Sequence, residues 1–196
     1  MHINSHFAIG VIFASIFHYY FCFSLLEFIM IVLASFISDF DVFFSKYAKD
    51  HNHRNLISHS IIPSSIIIIL GIIINWPALL ISGFSYFIHI IVDLFDWGTN
   101  FFYFQKKTFG PKLFMSKKEE ENLSLYLAKY KSPASFFDFK YYNNKVALTI
   151  EALLFVLMMI FIIIFAFEYI LIVSIYFLGL YFHLFRHFHL KKIENN

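Results

Sequence analysis

The chain has 196 residues, of which 60% are hydrophobic and only 14% are charged, and 29 of them are phenylalanine. A soluble domain usually carries about 25% charged residues, and a soluble core could not hide so much apolar surface, so lipid must cover part of it. The net charge of +2 is too small to favour nucleic acid as a partner. The single cysteine, Cys22, excludes an internal disulfide and a thiolate metal site.

The apolar residues fall into six stretches separated by short breaks. These stretches cover residues 6–20, 24–38, 59–75, 77–97, 145–167 and 169–187. Backbone polar groups in hydrocarbon must be satisfied within the protein, which leaves helices or closed barrels, and the alternating polar positions of a barrel are missing. The sequence therefore predicts an all-α, polytopic membrane protein with about six membrane-embedded helices. The first two stretches are short for a span of ~20 residues.

The basic residues sort to one side of this arrangement. If the N-terminus lies on side A, the turns near 18–24, 75–77 and 167–169 lie on side B and contain no Lys or Arg. All 15 basic residues then lie on side A. Basic residues favour the cytoplasmic side, so we expect both termini in the cytoplasm and a location in the inner or plasma membrane.

The segment between the fourth and fifth stretches is the only sizeable part outside the predicted helices of the membrane. Ser116 and Glu119 match a capping-box pattern, and apolar residues at helical spacing follow up to Tyr130, which predicts a short amphipathic helix on the membrane surface. Aromatic clusters at 101–104 and 136–137 flank it, either as interfacial belts or as a lid. We expect one membrane domain, 1–196, made of residues 1–99, the cytoplasmic loop 100–144, and a helix pair with a basic tail, 145–196.

Four segments of the chain bring His or Asp residues to side A. They supply His6, then Asp39 and Asp41, then His53, Arg54 and His59, and finally His89 and Asp93. The last two are four residues apart and share one helix face. Ionisable groups inside a membrane helix are costly and usually have a partner or a function.

This set of side chains predicts a site for one or two divalent metal ions. Imidazole and carboxylate ligands together suit Zn, Mn or Fe, with Zn as our first choice, and water bound to such an ion becomes a strong nucleophile near neutral pH. The predicted ligands are His6, Asp39, Asp41, His59, His89 and Asp93. The predicted catalytic residues are Asp41, His53 and Arg54, because the planar guanidinium of Arg54 can bind a phosphate.

Each of these residues also has a simpler explanation. His6 can belong to a frayed helix start, His53 can be a solvated loop residue, and His89 with Asp93 can form a structural ion pair. Residues i and i+2 of an α-helix point roughly 160–200° apart. Asp39 and Asp41 can therefore share a site only if the helix has ended, or if one of them stands behind a ligand.

Other polar residues are assigned to different roles. The three histidines His183, His187 and His189 lie near Arg186 and Lys191, which favours a basic, interfacial helix end. Glu151 either snorkels to side A or hydrogen-bonds a ligand histidine. The side-B residues Cys22, Glu27 and Glu168 are too far away to reach the metal site.

The order of these residues resembles that of the YdjM-like family of inner-membrane metal-dependent hydrolases. The matching pieces are His6 with Gly10, residues 38–41, residues 53–60, and residues 89–99, so the resemblance covers about residues 1–115. Ser38 stands where the family has Pro, Asn55 where it has Gly, and Ser58 where it has Thr. Asp96 occupies a position where Thr is common. None of these departures removes a predicted ligand.

The resemblance implies a helical membrane protein with a divalent-metal site and hydrolase activity. A more distant likeness to zinc-dependent phospholipase C suggests phosphoester chemistry. We therefore expect a membrane-bound, metal-dependent hydrolase that acts on a phosphoester or lipid-like substrate at the cytoplasmic leaflet, with membrane lipid and a divalent metal as partners. The alternative is a metal-ion transporter or a structural membrane protein with a structural metal, and a transporter predicts polar residues on both sides of the membrane midplane.

Overall fold

The computed structural model describes residues 3–48, 52–103 and 108–196. Within these ranges the chain is helical, and its only β pairing is an isolated antiparallel bridge between Thr99 and Phe109. The predicted all-α fold is thus confirmed. Lys49, Lys106 and Lys107, predicted to lie on side A, and Phe104 of the first aromatic cluster fall outside the described residues.

Nine α-helices and four 3₁₀ segments follow one another in the described residues. The α-helices are α1 (Ile3–Phe21), α2 (Leu25–Ala34), α3 (Ile61–Ile74), α4 (Pro77–Asp96), α5 (Lys117–Glu121), α6 (Leu123–Leu127), α7 (Pro133–Tyr142), α8 (Lys145–Phe165) and α9 (Val173–Asn195). The 3₁₀ segments are Ile37–Tyr47, His53–Asn55, Ile57–His59 and Phe167–Ile172. Each of the six apolar stretches overlaps one of α1, α2, α3, α4, α8 and α9.

Local sequence signals set the helix ends at the turns that are predicted to lie on side B. Ser24 caps α2 together with Glu27 in a reciprocal capping box, which satisfies backbone N–H groups that the first turn leaves free. Asn75 ends α3 in the left-handed conformation with φ of 55°, which Asn tolerates better than most residues. Pro77 then opens α4 at a position where its missing N–H costs nothing.

Length and composition identify three helices that can cross a membrane in the described part of the chain. They are Pro77–Asp96, Lys145–Phe165, and the continuous stretch Phe167–Asn195. A fourth span results if α2 and the 3₁₀ segment Ile37–Tyr47, which are bent by 45°, count as one. The predicted number of about six spans is therefore not reached by this measure, because α3 has only 14 residues and polar side chains lower the hydropathy of α1.

The three turns predicted to lie on side B meet at one end of the structure. The indole N–H of Trp76 donates to the Glu27 carboxylate at 2.7 Å, His18 Nε2 lies 2.7 Å from Glu168 Oε1, and the Tyr169 hydroxyl donates to the Phe23 carbonyl at 2.7 Å. These bonds join the breaks near 18–24, 75–77 and 167–169. The helices between them consequently run from this end to the end that carries the predicted metal ligands.

An apolar core fills the space between the two ends. Val11 of α1, Phe28 and Ile31 of α2, and Met158 and Ile162 of α8 are fully buried there. α3 and α4 form a tight antiparallel hairpin beside this core, and α4 also packs on α2 and α1. α1, α2 and α4 therefore hold fixed positions relative to one another, and each of these helices ends near the predicted site.

The loop region departs from the predicted single amphipathic helix. The capping box of Ser116 and Glu119 is confirmed, but Asn122 leaves helical geometry, and its side chain donates to the Lys118 carbonyl. Two five-residue helices, α5 and α6, result. An unpredicted helix, α7, follows, and in it Phe136 is only 2% exposed and packs on the Tyr126 and Tyr130 rings, so this aromatic residue belongs to the core of the loop region.

Candidate metal centre

Four parts of the fold bring His and Asp side chains to a common point. α1 contributes His6, the 3₁₀ segment Ile37–Tyr47 contributes Asp39, the 3₁₀ turn Ile57–His59 contributes His59, and α4 contributes His89 and Asp93. We call these five residues the central cluster. Their mutual approach requires the short, tightly packed contacts of α1 and α2 with α4.

The distances within the central cluster are those of ligands around one small cation. Asp93 Oδ1 lies 3.3 Å from His6 Nε2, and Asp93 Oδ2 lies 3.3 Å from His59 Nε2 and 3.7 Å from His89 Nε2. Asp39 Oδ1 lies 3.8 Å from His89 Nε2 and 3.9 Å from His59 Nε2. Two atoms that each bind a tetrahedral Zn²⁺ at ~2.1 Å are ~3.4 Å apart. The residues present thus fit a divalent ion.

Several polar atoms that face this point are buried and form no hydrogen bond within the described residues. They include Nε2 of His6, Nε2 of His59, Nε2 of His89 and Oδ1 of Asp93. A buried polar group without a partner costs about 1–3 kcal/mol. A cation shared by these atoms would remove that cost at several groups at once, which is a second indication of a metal site.

Hydrogen bonds on the outer nitrogens orient two of the histidines. His59 Nδ1 lies 2.8 Å from Asp41 Oδ2, and His89 Nδ1 lies 2.8 Å from the Ser35 carbonyl oxygen. A carbonyl can only accept, so His89 carries its proton on Nδ1 and presents the Nε2 lone pair to the cluster. The Asp41 carboxylate favours the same tautomer in His59. Carboxylates and carbonyls behind ligand histidines perform this role in metal sites generally.

The 3₁₀ conformation explains how Asp39 and Asp41 both contribute. With three residues per turn, positions i and i+2 point ~120° apart, whereas in an α-helix they would point to nearly opposite sides. Asp39 therefore approaches Nε2 of His59 while Asp41 binds Nδ1 of the same ring. Asp41, predicted as a ligand and a catalytic residue, lies behind a ligand histidine in this arrangement.

A second group consists of Asp41, His53 and His59, whose donor atoms lie within 4.8 Å of one another. Its contacts are hydrogen bonds, because Asp41 Oδ1 is 2.9 Å from His53 Nδ1 and Asp41 Oδ2 accepts from Ser58 Oγ as well as from His59. A second ion would have to replace these bonds. The geometry thus favours one ion in the central cluster.

The Asp41 and Asp93 carboxylates also act on the charge state of His59. Burial alone lowers the pKa of a histidine, but hydrogen bonds and charge interactions with these carboxylates raise the pKa of His59 to about 9. The two carboxylates therefore favour a positive charge at this position, which a bound cation would also supply.

Arg54 lies against the outer side of Asp93. Its Nη1 is 3.0 Å from Asp93 Oδ2 and donates to the Asp93 backbone carbonyl at 3.3 Å. The residues most open to solvent around the cluster are His53, Asp39 and Arg54, with side chains 24%, 19% and 11% exposed, whereas His59, His89 and Asp93 are at 0%. A ligand therefore reaches the cluster past Asp39, His53 and Arg54.

Three residues at this site were not assigned a role by sequence reasoning. Ser35 provides the carbonyl for His89, Ser58 donates to Asp41, and Tyr86 donates its hydroxyl to the Ser58 carbonyl at 2.6 Å. Ser58 was visible as a hydroxyl residue next to His59. Ser35 acts through its backbone, so its residue type carried no signal.

The remaining candidates lie elsewhere. His187 Nδ1 is 2.6 Å from Asp138 Oδ2 and its ring packs on Tyr142, so it links α9 to α7. Glu151 accepts a hydrogen bond from the Tyr141 hydroxyl and forms no bond to a ligand histidine within the described residues. Glu27 and Glu168 lie at the opposite end, as predicted.

The fold and the cluster define an all-helical membrane protein with a set of possible metal ligands near one end of its helices. The sequence matches the model of the YdjM inner membrane protein family over residues 1–170. The chain belongs to this family, and the match extends well beyond the stretch of about 115 residues that motifs alone supported. No curated protein and no solved structure matches the chain.

Proposed function

We propose that this protein is a membrane-bound, metal-dependent hydrolase that acts on a phosphoester of a lipid or lipid-like substrate at the cytoplasmic leaflet. The observation that carries the proposal is the convergence of five His and Asp side chains, four of them buried, of which several inward atoms form no hydrogen bond within the described residues. The family supports the membrane location but does not name an activity. The hydrolase assignment rests on the ligand types, their access from one side, and the neighbouring arginine.

His6, Asp39, His59, His89 and Asp93 would hold the cation, which is Zn²⁺ by the preference of imidazole and carboxylate ligands, with Mn²⁺ or Fe²⁺ as alternatives. When bound, such an ion polarises a phosphoryl oxygen and lowers the pKa of water. Asp41 fixes the tautomer of His59. Arg54 and His53 border the open edge, where Arg54 can bind an anionic phosphoryl group and His53 can accept or supply a proton.

A membrane topology follows from the same proposal. The six apolar helices are all embedded, with α1 and α3 shortened or tilted relative to full spans, and the two ends of the chain lie with the cluster on the side rich in Lys and Arg. The cluster then lies close to the cytoplasmic headgroups. A phosphoester of an inner-leaflet lipid is at the same depth.

The test measures metal content and hydrolysis in one set of purified, folded proteins. The wild type should copurify with about one equivalent of a divalent metal and should hydrolyse bis(p-nitrophenyl) phosphate or phospholipid vesicles. Asp39→Asn, His89→Ala and Asp93→Asn should lose both properties. Removing one partner of a buried pair can cost about 3–5 kcal/mol, so Asp39, which lies at the exposed edge, is the variant best suited to stay folded.

The matched control is His189→Ala. His189 is an exposed histidine of α9, whereas His187 is a poor control because it bonds to Asp138. Metal binding without hydrolysis of either substrate would refute the hydrolase proposal and leave a structural metal. Full metal affinity in folded Asp39→Asn and His89→Ala would refute the site itself.

A further inference from the structure

An apolar groove runs along the outer face of α2 and reaches Ala34, Ile37 and Tyr86 near the central cluster. Its volume is about 420 Å³. The walls are formed by Leu26, Ile29, Met30, Leu33, Ala34 and Ile37 on one side and by Ile67, Leu79, Ser82 and Tyr86 on the other. Leu26, Leu33 and Ile37 are largely exposed. The groove is thus open sideways, toward the place where lipid lies in a membrane.

The polar groups in the groove wall are satisfied within the protein. Ser82 Oγ donates to the Ala78 carbonyl at 2.8 Å, and the Tyr86 hydroxyl donates to the Ser58 carbonyl at 2.6 Å. The groove therefore presents an apolar surface to its occupant and offers no free donor or acceptor at these positions. A hydrocarbon chain meets these conditions.

The length of the groove suits an alkyl chain. The wall that α2 contributes runs from Leu26 to Ala34, a helical rise of roughly 12 Å at ~1.5 Å per residue. One leaflet contributes ~15 Å to a hydrocarbon core of ~30 Å, so an acyl chain is long enough to follow this wall.

One end of the groove lies close to the central cluster. Ala34 precedes Ser35, whose carbonyl holds His89, and the Tyr86 ring lies 6.4 Å from the His89 ring. Ile37 lies two residues before Asp39. A chain in the groove consequently places whatever is attached to its upper end beside Asp39 and Arg54, at the open edge of the cluster.

We propose that this groove binds one acyl chain of an inner-leaflet glycerophospholipid and so places the lipid phosphodiester at the central cluster. This inference rests on the proposed function and names its substrate class. The chain gains little free energy on leaving the bilayer, since lipid tails are as apolar as the groove. The groove therefore sets the position and register of the lipid, and the headgroup contacts supply the affinity.

The experiment uses the full chain in lipid nanodiscs that contain a phosphatidylglycerol with a diazirine halfway along one acyl chain. After irradiation, crosslinks should concentrate in the peptides that contain Leu25–Ala34 and residues 79–86. The Ile67→Trp variant fills the groove and should lose these crosslinks. The matched control Ile66→Trp, whose side chain points to lipid on the same helix at 52% exposure, should keep them.

Two further measurements separate this proposal from the proposed function. Metal content should be equal in the two Trp variants, because neither residue belongs to the central cluster. Hydrolysis of bis(p-nitrophenyl) phosphate, which has no chain, should persist in Ile67→Trp, while phospholipid turnover should fall. Absence of all hydrolysis together with concentrated crosslinks would refute the hydrolase and retain the lipid site.

Three results would overturn the groove proposal. The first is crosslinks spread equally over lipid-facing helices such as α8, as expected for bulk lipid. The second is unchanged crosslinking in Ile67→Trp. The third is equal labelling by a diazirine-bearing fatty alcohol without a phosphate, because the headgroup would then have no part in binding.

Discussion

Gly10 is a position where one added methyl group should weaken metal binding without touching a ligand. A Cβ on Gly10 would lie 2.2 Å from Ser35 Oγ, 2.7 Å from Ser35 Cβ and 3.1 Å from the Val32 carbonyl. Ser35 holds His89 through its carbonyl, and Gly10 lies one helical turn after His6. The contact between α1 and α2 therefore supports two ligands at once.

The size of the effect follows from these distances. Non-bonded carbon atoms prefer ~3.5–4.0 Å, so Ser35 or the whole of α2 must move by about 1 Å in Gly10→Ala. Overpacking of this kind costs ~1–3 kcal/mol of stability. Loss of the partner behind a ligand histidine typically lowers metal affinity ~10- to 100-fold. We expect both effects in Gly10→Ala.

The assay is a competition titration of metal with a chromophoric chelator, combined with thermal unfolding. Gly71→Ala is the matched control, since its Cβ would lie 2.5 Å from the Leu80 backbone nitrogen at the opposite end of the α3–α4 hairpin. The control should lose stability but keep its metal affinity. Gly10→Ala/Ser35→Gly should regain part of the affinity, because it removes the crowded Ser35 side chain and leaves the carbonyl in place. An affinity loss of equal size in Gly71→Ala, or none in Gly10→Ala, would refute the reasoning.

Three other predictions follow from the structure. Asp41→Asn should weaken metal binding ~10- to 100-fold, as changes to other partners of ligand histidines do. In the same titration, this loss of affinity should be smaller than the loss in Asp93→Asn. Although burial opposes the shift, hydrogen bonds from Lys140 and Ser116 lower the pKa of Glu119 to about 2. The ionised Glu119 therefore stabilises the fold at pH values above the ordinary glutamate pKa of about 4.5. This stabilisation is lost as the pH falls from about 4.5 toward 2. Lys140→Met should flatten that acid dependence in thermal unfolding, and an unchanged dependence would contradict this role. A reporter fused after Asn196 should be active in the cytoplasm, and activity only outside it would reverse the topology.

Much of the helical architecture could be predicted because hydrocarbon restricts the chain so strongly. Six apolar stretches had to be helices, and their breaks fall at Ser24, Asn75 and Pro77, where capping and turn residues end helices by local chemistry. His89 and Asp93 could be placed on one face of α4 from spacing alone. The meeting of His6 with this pair was also predicted, because four helices that run back and forth return the chain to the end where it began.

The details of the cluster depended on long-range packing and could not be read from sequence. A 3₁₀ rather than an α conformation at residues 37–47 decides that Asp41 stands behind His59, and apolar patterning does not distinguish the two helix types. The carbonyl of Ser35 becomes a partner of His89 only through the contact of α2 with α4. In the loop region, the break at Asn122 and the helix Pro133–Tyr142 depend on local capping and on Phe136 burial, neither of which the hydropathy pattern reveals.

The distribution of polar groups along the bundle favours the proposed hydrolase over a metal-ion transporter. A through-path needs ligands or water at successive depths, since a charge in the middle of a bilayer is costly. Below the cluster, the described residues include the buried apolar side chains of Val11, Phe28, Ile31 and Met158. The acidic groups at the far end are engaged, Glu168 with His18 and Glu27 with Trp76. A cation in the cluster would thus have its open edge on one side only, which is the arrangement that the proposed hydrolase at one leaflet requires.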